Sequence, residues 1–195
     1  WFDVVTYGLG YHLKPSNYQT CSNITLNSDL TASNHLTMHP NQLLIQSFYE
    51  AFSRKDYRAM AECYHPEVTF IDAAFDLHGK EVPAMWEMLC KRGKDLELTF
   101  SNVAADALHG SADWEARYTF SQTGRKVHNI IHAEFIFRDG KIWSHTDTFD
   151  FYRWARQALG FTGLPLGWTA FLHKKVQKSA MGSLHKFMAE KGNGF

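Results

Sequence analysis

His145 and Asp147 form the residue pair whose types and spacing best suit proton transfer. They lie in a stretch of alternating pattern, and residues two apart in a β-strand share one face, about 6.5–7 Å apart. Trp143 and Phe149 are predicted to lie on that same face. Histidine moves protons near neutral pH, and a neighbouring carboxylate can orient its imidazole. The pattern favours an acid/base pair that faces a pocket; the alternative is a solvated face, with the two intervening threonines in the core.

Asp72 is the second candidate for proton transfer. It ends an apolar stretch, residues 68–72, that is predicted to be a short strand, and apolar residues 73–75 follow it. A carboxyl group against an apolar wall tends to have a raised pKa, which makes it a better base near neutral pH. The alternative is an aspartate that caps the loop after the strand, which is a common structural role.

Aromatic residues are abundant, with 15 Phe, 8 Tyr and 6 Trp, and they suit either a thick core or an aromatic pocket. Core packing is the commoner role for such residues. Among them Tyr118 is the best hydrogen-bond donor, and Asn129 could orient a substrate oxygen. The residues predicted to line a pocket are Phe48, Tyr49, Phe52, Phe70, Trp86, Trp114, Tyr118, Asn129, Phe135, Trp143 and Phe149.

No metal or cofactor site is expected from the sequence. His128 and His132 share a predicted strand face, but four residues span about 13 Å, too far for one metal ion. The glycine pair at Gly8 and Gly10 is not followed by a phosphate-binding motif. The chemistry is therefore predicted to be cofactor-free.

Composition disfavours several classes of protein. Lys and Arg number 20 and Asp and Glu number 20, so the net charge is zero, whereas nucleic-acid-binding proteins are normally basic. Cys21, Cys63 and Cys90 form no CxxC pair, which argues against a disulfide framework and favours a reducing compartment. Neither a transmembrane run nor a signal peptide is visible. A cytoplasmic location is expected.

The elements that must position these residues are three helices followed by a set of strands. Apolar spacing predicts helices over residues 41–54, after an Asp56 N-cap, and after His78-Gly79. The period then changes to two, and turn signals at His109-Gly110, Thr123-Gly124 and Asp139-Gly140 separate the runs. The order predicts an α+β domain with a meander of long antiparallel strands.

Both ends of the chain differ from this central domain. Residues 1–40 show no sustained period and are predicted to be a poorly ordered leader, with the domain over residues 41–151. Residues 152–195 are predicted to be a helical tail. Its last helix carries an excess of lysine opposite an apolar side. Packing on the domain or on a dimer partner is the favoured interpretation, and contact with an anionic membrane is the less favoured one.

Three segments together resemble the nuclear transport factor 2-like superfamily, in particular its SnoaL-like branch. The segments are NQLLIQSFYEAFSRKDYRAMAECYHPEVTFID, LHGKEVPAMWEML and EFIFRDGKIWSHTDTFDF, and with the strands between them they cover about residues 41–151. The resemblance implies a cone, in which a strongly curved antiparallel sheet wraps around three helices and leaves an apolar pocket at its open end. It also implies relatives that include ketosteroid isomerases, limonene epoxide hydrolases and polyketide cyclases.

The resemblance implies a family of enzymes and of non-catalytic binding or dimerisation modules, and this sequence departs from the pattern of the steroid isomerases. Asp72 matches the general base of the ketosteroid isomerases, whereas Phe48 stands where they place a tyrosine and Ala133 near their second acid. The Asp-Arg-Asp set of the epoxide hydrolases is not evident either. The expected function is acid/base catalysis of isomerase, cyclase, hydratase or hydrolase type on a hydrophobic small molecule, by a homodimer. The alternative is a ligand-binding or dimerisation module without catalysis.

Overall fold

The computed structural model describes residues 38–160 and 169–192, and within these ranges the chain forms five helices and one six-stranded sheet. The predicted leader, apart from its last three residues, lies outside the described ranges. None of the described helices is both long enough and apolar enough to span a membrane. The elements in chain order are α1 Pro40–Ser53, α2 Tyr57–Glu62, β1 Tyr64–Ile71, β2 Asp76–His78, α3 Glu81–Arg92, β3 Glu97–Ala105, β4 His109–Phe120, β5 Arg125–Arg138, β6 Lys141–Phe149, α4 Phe151–Leu159 and α5 Ala170–Gly192.

The sheet has the strand order β2-β1-β6-β5-β4-β3 and is curved without closing. Neighbouring strands are antiparallel except for β1 and β6, which run parallel. The long connection that a parallel pair requires runs through β2, α3 and strands β3–β5. The α+β class with a curved sheet around the helices is thus confirmed. The short strand β2, which pairs with the end of β1, was not predicted.

The core lies between the concave face of the sheet and helices α1 to α3. On α1, buried Ile45, Phe48, Tyr49 and Phe52 follow the helical period that the sequence predicted. Strand β5 alternates buried and exposed residues along most of its length, so one of its faces joins the core. Helix α2 begins as predicted at Asp56, whose carboxylate accepts a hydrogen bond from the Ala59 backbone N–H at 3.1 Å.

One predicted turn is wrong. His109 and Gly110 begin strand β4, and the preceding turn is made by Asp106, whose Oδ1 accepts from the backbone N–H groups of Leu108 and His109 at 2.7 Å each. A Cβ atom at position 110 would lie 2.8 Å from Cδ1 of Ile45. Glycine is therefore present for the close approach of α1 to the sheet rather than for a turn. The Asp139-Gly140 turn is present, with φ of 53° and 69°.

The tail helix α5 packs on the domain itself, against α3. Ala180 and Leu184 are fully buried, and Arg92 Nη1 donates to the Ser183 hydroxyl at 2.8 Å. The carboxylate of Glu87 on α3 accepts from Lys91 at 2.7 Å and from Lys191 of the tail at 2.6 Å. Burial opposes ionisation of Glu87, but the two lysines outweigh it and lower the pKa of this carboxyl.

Candidate active site

A cavity of about 90 Å³ lies between the concave face of the sheet, α1, α3 and the two C-terminal helices. Its wall is largely aromatic and apolar, with few polar side chains, as is usual for small-molecule sites. Its lining residues are Phe52, Phe70, Asp72, Ala74, Phe75, Met85, Trp86, Leu89, Trp114, Ala116, Tyr118, Asn129, Ile131, Asp147, Phe149, Phe151, Trp154 and Val176.

Asp72 stands directly after β1 and opens onto this cavity. Its Oδ1 accepts hydrogen bonds from the backbone N–H groups of Ala74 at 2.7 Å and Phe75 at 2.6 Å, so the aspartate also caps the loop. No hydrogen bond from the described residues reaches Oδ2. Burial, and to a smaller degree the charge of Asp147, raise the pKa of Asp72 to about 7 against the opposing effect of the two N–H donors.

Asp147 lines the same cavity from β6 and is only 5% exposed. Its Oδ1 accepts from the indole N–H of Trp114 at 3.2 Å and lies 3.1 Å from Nε2 of His145. Both contacts are made by one oxygen, and Oδ2 accepts no hydrogen bond from the described part of the chain. The carboxylate is therefore fixed on one side and available to a ligand on the other.

His145 does not line the cavity but lies behind Asp147, 1% exposed among aromatic rings. Its Nδ1 is 2.8 Å from the Tyr64 hydroxyl, which accepts from the indole N–H of Trp86 at 2.9 Å. One assignment of the protons gives every donor in this series of hydrogen bonds an acceptor. Trp86 donates to the Tyr64 hydroxyl, the Tyr64 hydroxyl donates to Nδ1 of His145, and Nε2–H of His145 donates to Asp147. Burial raises the pKa of Tyr64 well above its usual value, so its hydroxyl keeps the proton it donates.

The structure brings together most, but not all, of the residues predicted to line the pocket. Phe48, Tyr49 and Phe135 do not line it, because they fill the core next to it, where Phe48 and Phe135 pack against the ring of His145. The predicted residues that do line the cavity are Phe52, Phe70, Trp86, Trp114, Tyr118, Asn129 and Phe149.

Trp143 lies away from the cavity because the strand is irregular at that point. The pairing of β5 with β6 shifts where Ile136 faces Ser144 and Phe137 faces Ile142, which leaves Trp143 as the extra residue of a bulge. Ile142 is fully buried while Trp143 is half-buried. The predicted shared face therefore holds for His145, Asp147 and Phe149 but not for Trp143.

Helix α4 contributes lining residues that the sequence-based set did not contain. Phe151 and Trp154 face the cavity, and the indole N–H of Trp154 donates to the Tyr118 hydroxyl at 2.9 Å. Val176 of α5 adds a further side chain. The available signal was the helical spacing of apolar residues after Asp150, whose carboxylate caps α4. Among the described residues, no three His, Cys, Asp or Glu side chains lie close enough to hold one metal ion.

Comparison with solved structures supports the same architecture. TsrD from Streptomyces laurentii matches with a TM-score of 0.52 at 24% identity, over 61% of this chain and 94% of that one. An NTF2-like protein of unknown function from Burkholderia pseudomallei matches with a TM-score of 0.54 at 22% identity, over 62% and 98%. An LEH-like epoxide hydrolase from M. tuberculosis matches with a TM-score of 0.51 at 17% identity, over 68% and 95%. At these identities the likeness concerns the fold alone.

Sequence comparison identifies the family. No curated protein matches the chain at a significant level. The family model described as the SnoaL-like domain matches residues 45–145, which run from the first helix to the histidine beside the cavity and make up more than half of the chain. The protein therefore belongs to the SnoaL-like domain family.

Proposed function

We propose that the protein is an enzyme that catalyses acid/base chemistry on a hydrophobic small molecule bound in this cavity. The observation that carries the proposal is the presence of two carboxyl groups, Asp72 and Asp147, in the wall of one apolar cavity. Burying an acid in an apolar wall lowers the stability of the folded protein. Pairs of such acids are therefore found mainly where catalysis needs their shifted pKa values. Isomerisation, cyclisation and the hydration of an epoxide all fit such a pair.

Asp72 is proposed as the group that takes and returns the proton. A pKa of about 7 leaves it partly ionised at neutral pH, where a catalytic base is most efficient. Its Oδ2 is the oxygen that remains for substrate, since Oδ1 is held by the backbone of the following loop.

Asp147 is proposed as the second catalytic carboxylate, and His145 as a positioning residue. His145 does not line the cavity, and its hydrogen bond to the wall is the one to Asp147, so its role is to fix the carboxylate together with Trp114. This differs from the sequence-based interpretation, in which His145 and Asp147 exchanged protons with the substrate directly.

A homodimer is proposed through the outer face of the sheet. Ile130 and Ile136 on β5 are 44% and 39% exposed, and Ile71 at the end of β1 is 48% exposed. Exposed β-branched residues on β1 and β5, two strands of one sheet separated by β6, give a partner copy apolar surface to cover. Sedimentation of the wild type and of Ile130→Lys at micromolar concentration tests this: a dimer that becomes a monomer supports it, and a monomeric wild type contradicts it.

The catalytic proposal is tested by incubating the protein in D₂O with small apolar ketones, and separately in water with small apolar epoxides. NMR then measures deuterium uptake beside the carbonyl and diol formation. We expect turnover in one panel, with Asp72→Asn slowing it by about a hundredfold or more. Asp76→Asn, which removes an exposed carboxylate in the strand that follows the Asp72 loop, should leave the rate unchanged. A rate that Asp72→Asn does not alter contradicts the proposal.

The second candidate function is a ligand-binding module without catalysis. It is favoured by the two backbone hydrogen bonds to Asp72, which give this residue a structural role of its own. The same experiment distinguishes the two functions. A binding module binds apolar ketones or epoxides, which shifts its tryptophan fluorescence, but converts none of them.

A further inference from the structure

Among the residues that the structure describes, the cavity is lined by acidic but not by basic side chains. Asp72 and Asp147 are its charged residues, and no lysine, arginine or histidine lines it among the described residues. Two carboxylates that face one enclosed space repel each other, and each loses hydration there. A bound anion would add to that repulsion, whereas a bound cation would relieve it.

The indole N–H groups and the carboxylate oxygens of the wall point to the same sign of charge, while the Asn129 amide, which both donates and accepts, favours neither. All three indole N–H groups are already engaged, Trp86 with Tyr64, Trp114 with Asp147 and Trp154 with Tyr118. They are therefore not available to an anionic ligand. Oδ2 of each aspartate, in contrast, accepts nothing from the described residues, so the cavity presents open acceptors.

Aromatic rings surround these acceptors. Nine of the eighteen lining side chains are aromatic, and three of them are tryptophans. A cation within about 6 Å of a ring centroid is attracted by the electrons of the ring, most strongly for tryptophan. Aromatic walls combined with carboxylates are the usual means by which proteins bind organic ammonium groups, because each methyl or methylene group is also buried.

We propose that this cavity binds a small organic cation, an alkylammonium or iminium group, with Asp147 as its counter-ion. Asp147 suits this role because Trp114 and His145 fix one of its oxygens while the other stays open. The inference rests on the proposed function in one respect: it assigns Asp147 to holding the charged group and leaves Asp72 to take the proton from the neighbouring atom. The substrate class would then be hydrophobic amines or imines.

Three probes of nearly equal shape and different charge test the proposal: tert-butylammonium, tert-butanol and pivalate. Each is titrated into the wild-type protein at pH 8, and binding is followed by tryptophan fluorescence and by saturation-transfer NMR. We expect tert-butylammonium to bind about tenfold or more tightly than tert-butanol, and pivalate not to bind. Equal or tighter binding of tert-butanol, binding of pivalate, or binding of none of the three overturns the proposal.

A pair of variants locates the charge that matters. Asp147→Asn keeps the oxygen that accepts from Trp114 and His145 but removes the negative charge, so the preference for the cation should disappear. Glu134→Gln removes one negative charge from an exposed position on β5, away from the cavity, and should leave the preference intact. A preference that both variants retain overturns the assignment of Asp147. The series on the wild type stands by itself if Asp147→Asn does not fold.

Failure of this inference and failure of the proposed function give different results. If neutral ketones or epoxides are converted in a manner sensitive to Asp72→Asn while tert-butylammonium has no advantage, the ligand class is wrong and the acid/base function stands. If the cation binds selectively and neither the ketones, the epoxides nor a small alkyl iminium ion with a C–H bond beside the C=N group exchanges deuterium or is converted, the ligand class stands and the catalytic function is wrong.

Discussion

The hydroxyl group of Tyr64 lies 2.8 Å from Nδ1 of His145, and it also accepts the indole N–H of Trp86 at 2.9 Å. The hydroxyl thus links Trp86, which lines the cavity, to His145, which stands behind the cavity wall. Tyr64→Phe would leave the Trp86 donor and the His145 acceptor buried without partners. Each such loss costs about 1–3 kcal/mol, so we expect a clear fall in the free energy of unfolding, measured by urea denaturation.

Tyr49 supplies the matched control for that experiment. Its hydroxyl is buried and has no hydrogen-bond partner among the described residues. Tyr49→Phe removes a buried polar group that gains nothing from its surroundings, so stability should stay the same or rise. If the two variants lose equal stability, the network from Trp86 to Asp147 contributes nothing beyond packing.

The pH dependence of stability reports on Asp72. Its pKa is about 7 in the folded protein and near 3.8 when the chain is unfolded, so the folded state binds the extra proton between these values. The protonated Asp72 carboxyl therefore makes its full contribution to stability below the unfolded pKa, and this contribution is lost as pH rises through 7. Asp72→Asn cannot ionise and should gain stability relative to wild type as pH rises from about 4 to 7. A difference that does not vary with pH over this window contradicts the raised pKa.

Much of the fold follows from local patterns in the sequence. The period of α1, the Asp56 cap and the Asp139-Gly140 turn are set by neighbouring residues, which is why they are found where the sequence predicts them. The place of Asp72 in a pocket wall was less readable, because the local pattern suits an aspartate that caps a loop equally well, and it was the family resemblance that favoured the pocket.

The departures all depend on contacts between distant parts of the chain. The bulge at Trp143 arises from how β6 pairs with β5, and no local signal marks it. Gly110 marks the approach of Ile45, which lies 65 positions earlier, and not a turn. The placement of His145 behind Asp147 follows from the bond to Tyr64 on another strand, whereas alternation alone puts both residues at the same depth.

The link between Glu87 and the tail helix predicts how α5 is held. Glu87→Gln removes a buried charge that accepts from Lys91 and Lys191, whose own side chains stay half exposed and can be rehydrated. We expect a loss of about 1–2 kcal/mol and faster proteolysis within α5. Because the pKa of Glu87 is lowered in the folded state, the stabilisation by its two ion pairs should be complete above the normal glutamate pKa. It should be lost as pH falls below that value and through the lowered pKa of the folded protein. Glu190→Gln, on an exposed position of the same helix, is the control.

Gly182 lies at an exposed position within α5, between Val176 at the cavity and the segment that Ser183 and Leu184 anchor on α3. A Cβ atom there would meet no atom within 4 Å. Since glycine costs a helix about 1 kcal/mol relative to alanine, Gly182→Ala should stabilise the protein by about 0.5–1 kcal/mol. The same substitution at Gly110 should have the opposite sign, because its Cβ would meet Ile45 Cδ1 at 2.8 Å and the Ala104 carbonyl oxygen at 3.1 Å. Urea denaturation of both variants checks the pair; a Gly182→Ala protein that is less stable than wild type would mean that α5 does not run as a continuous helix through this position.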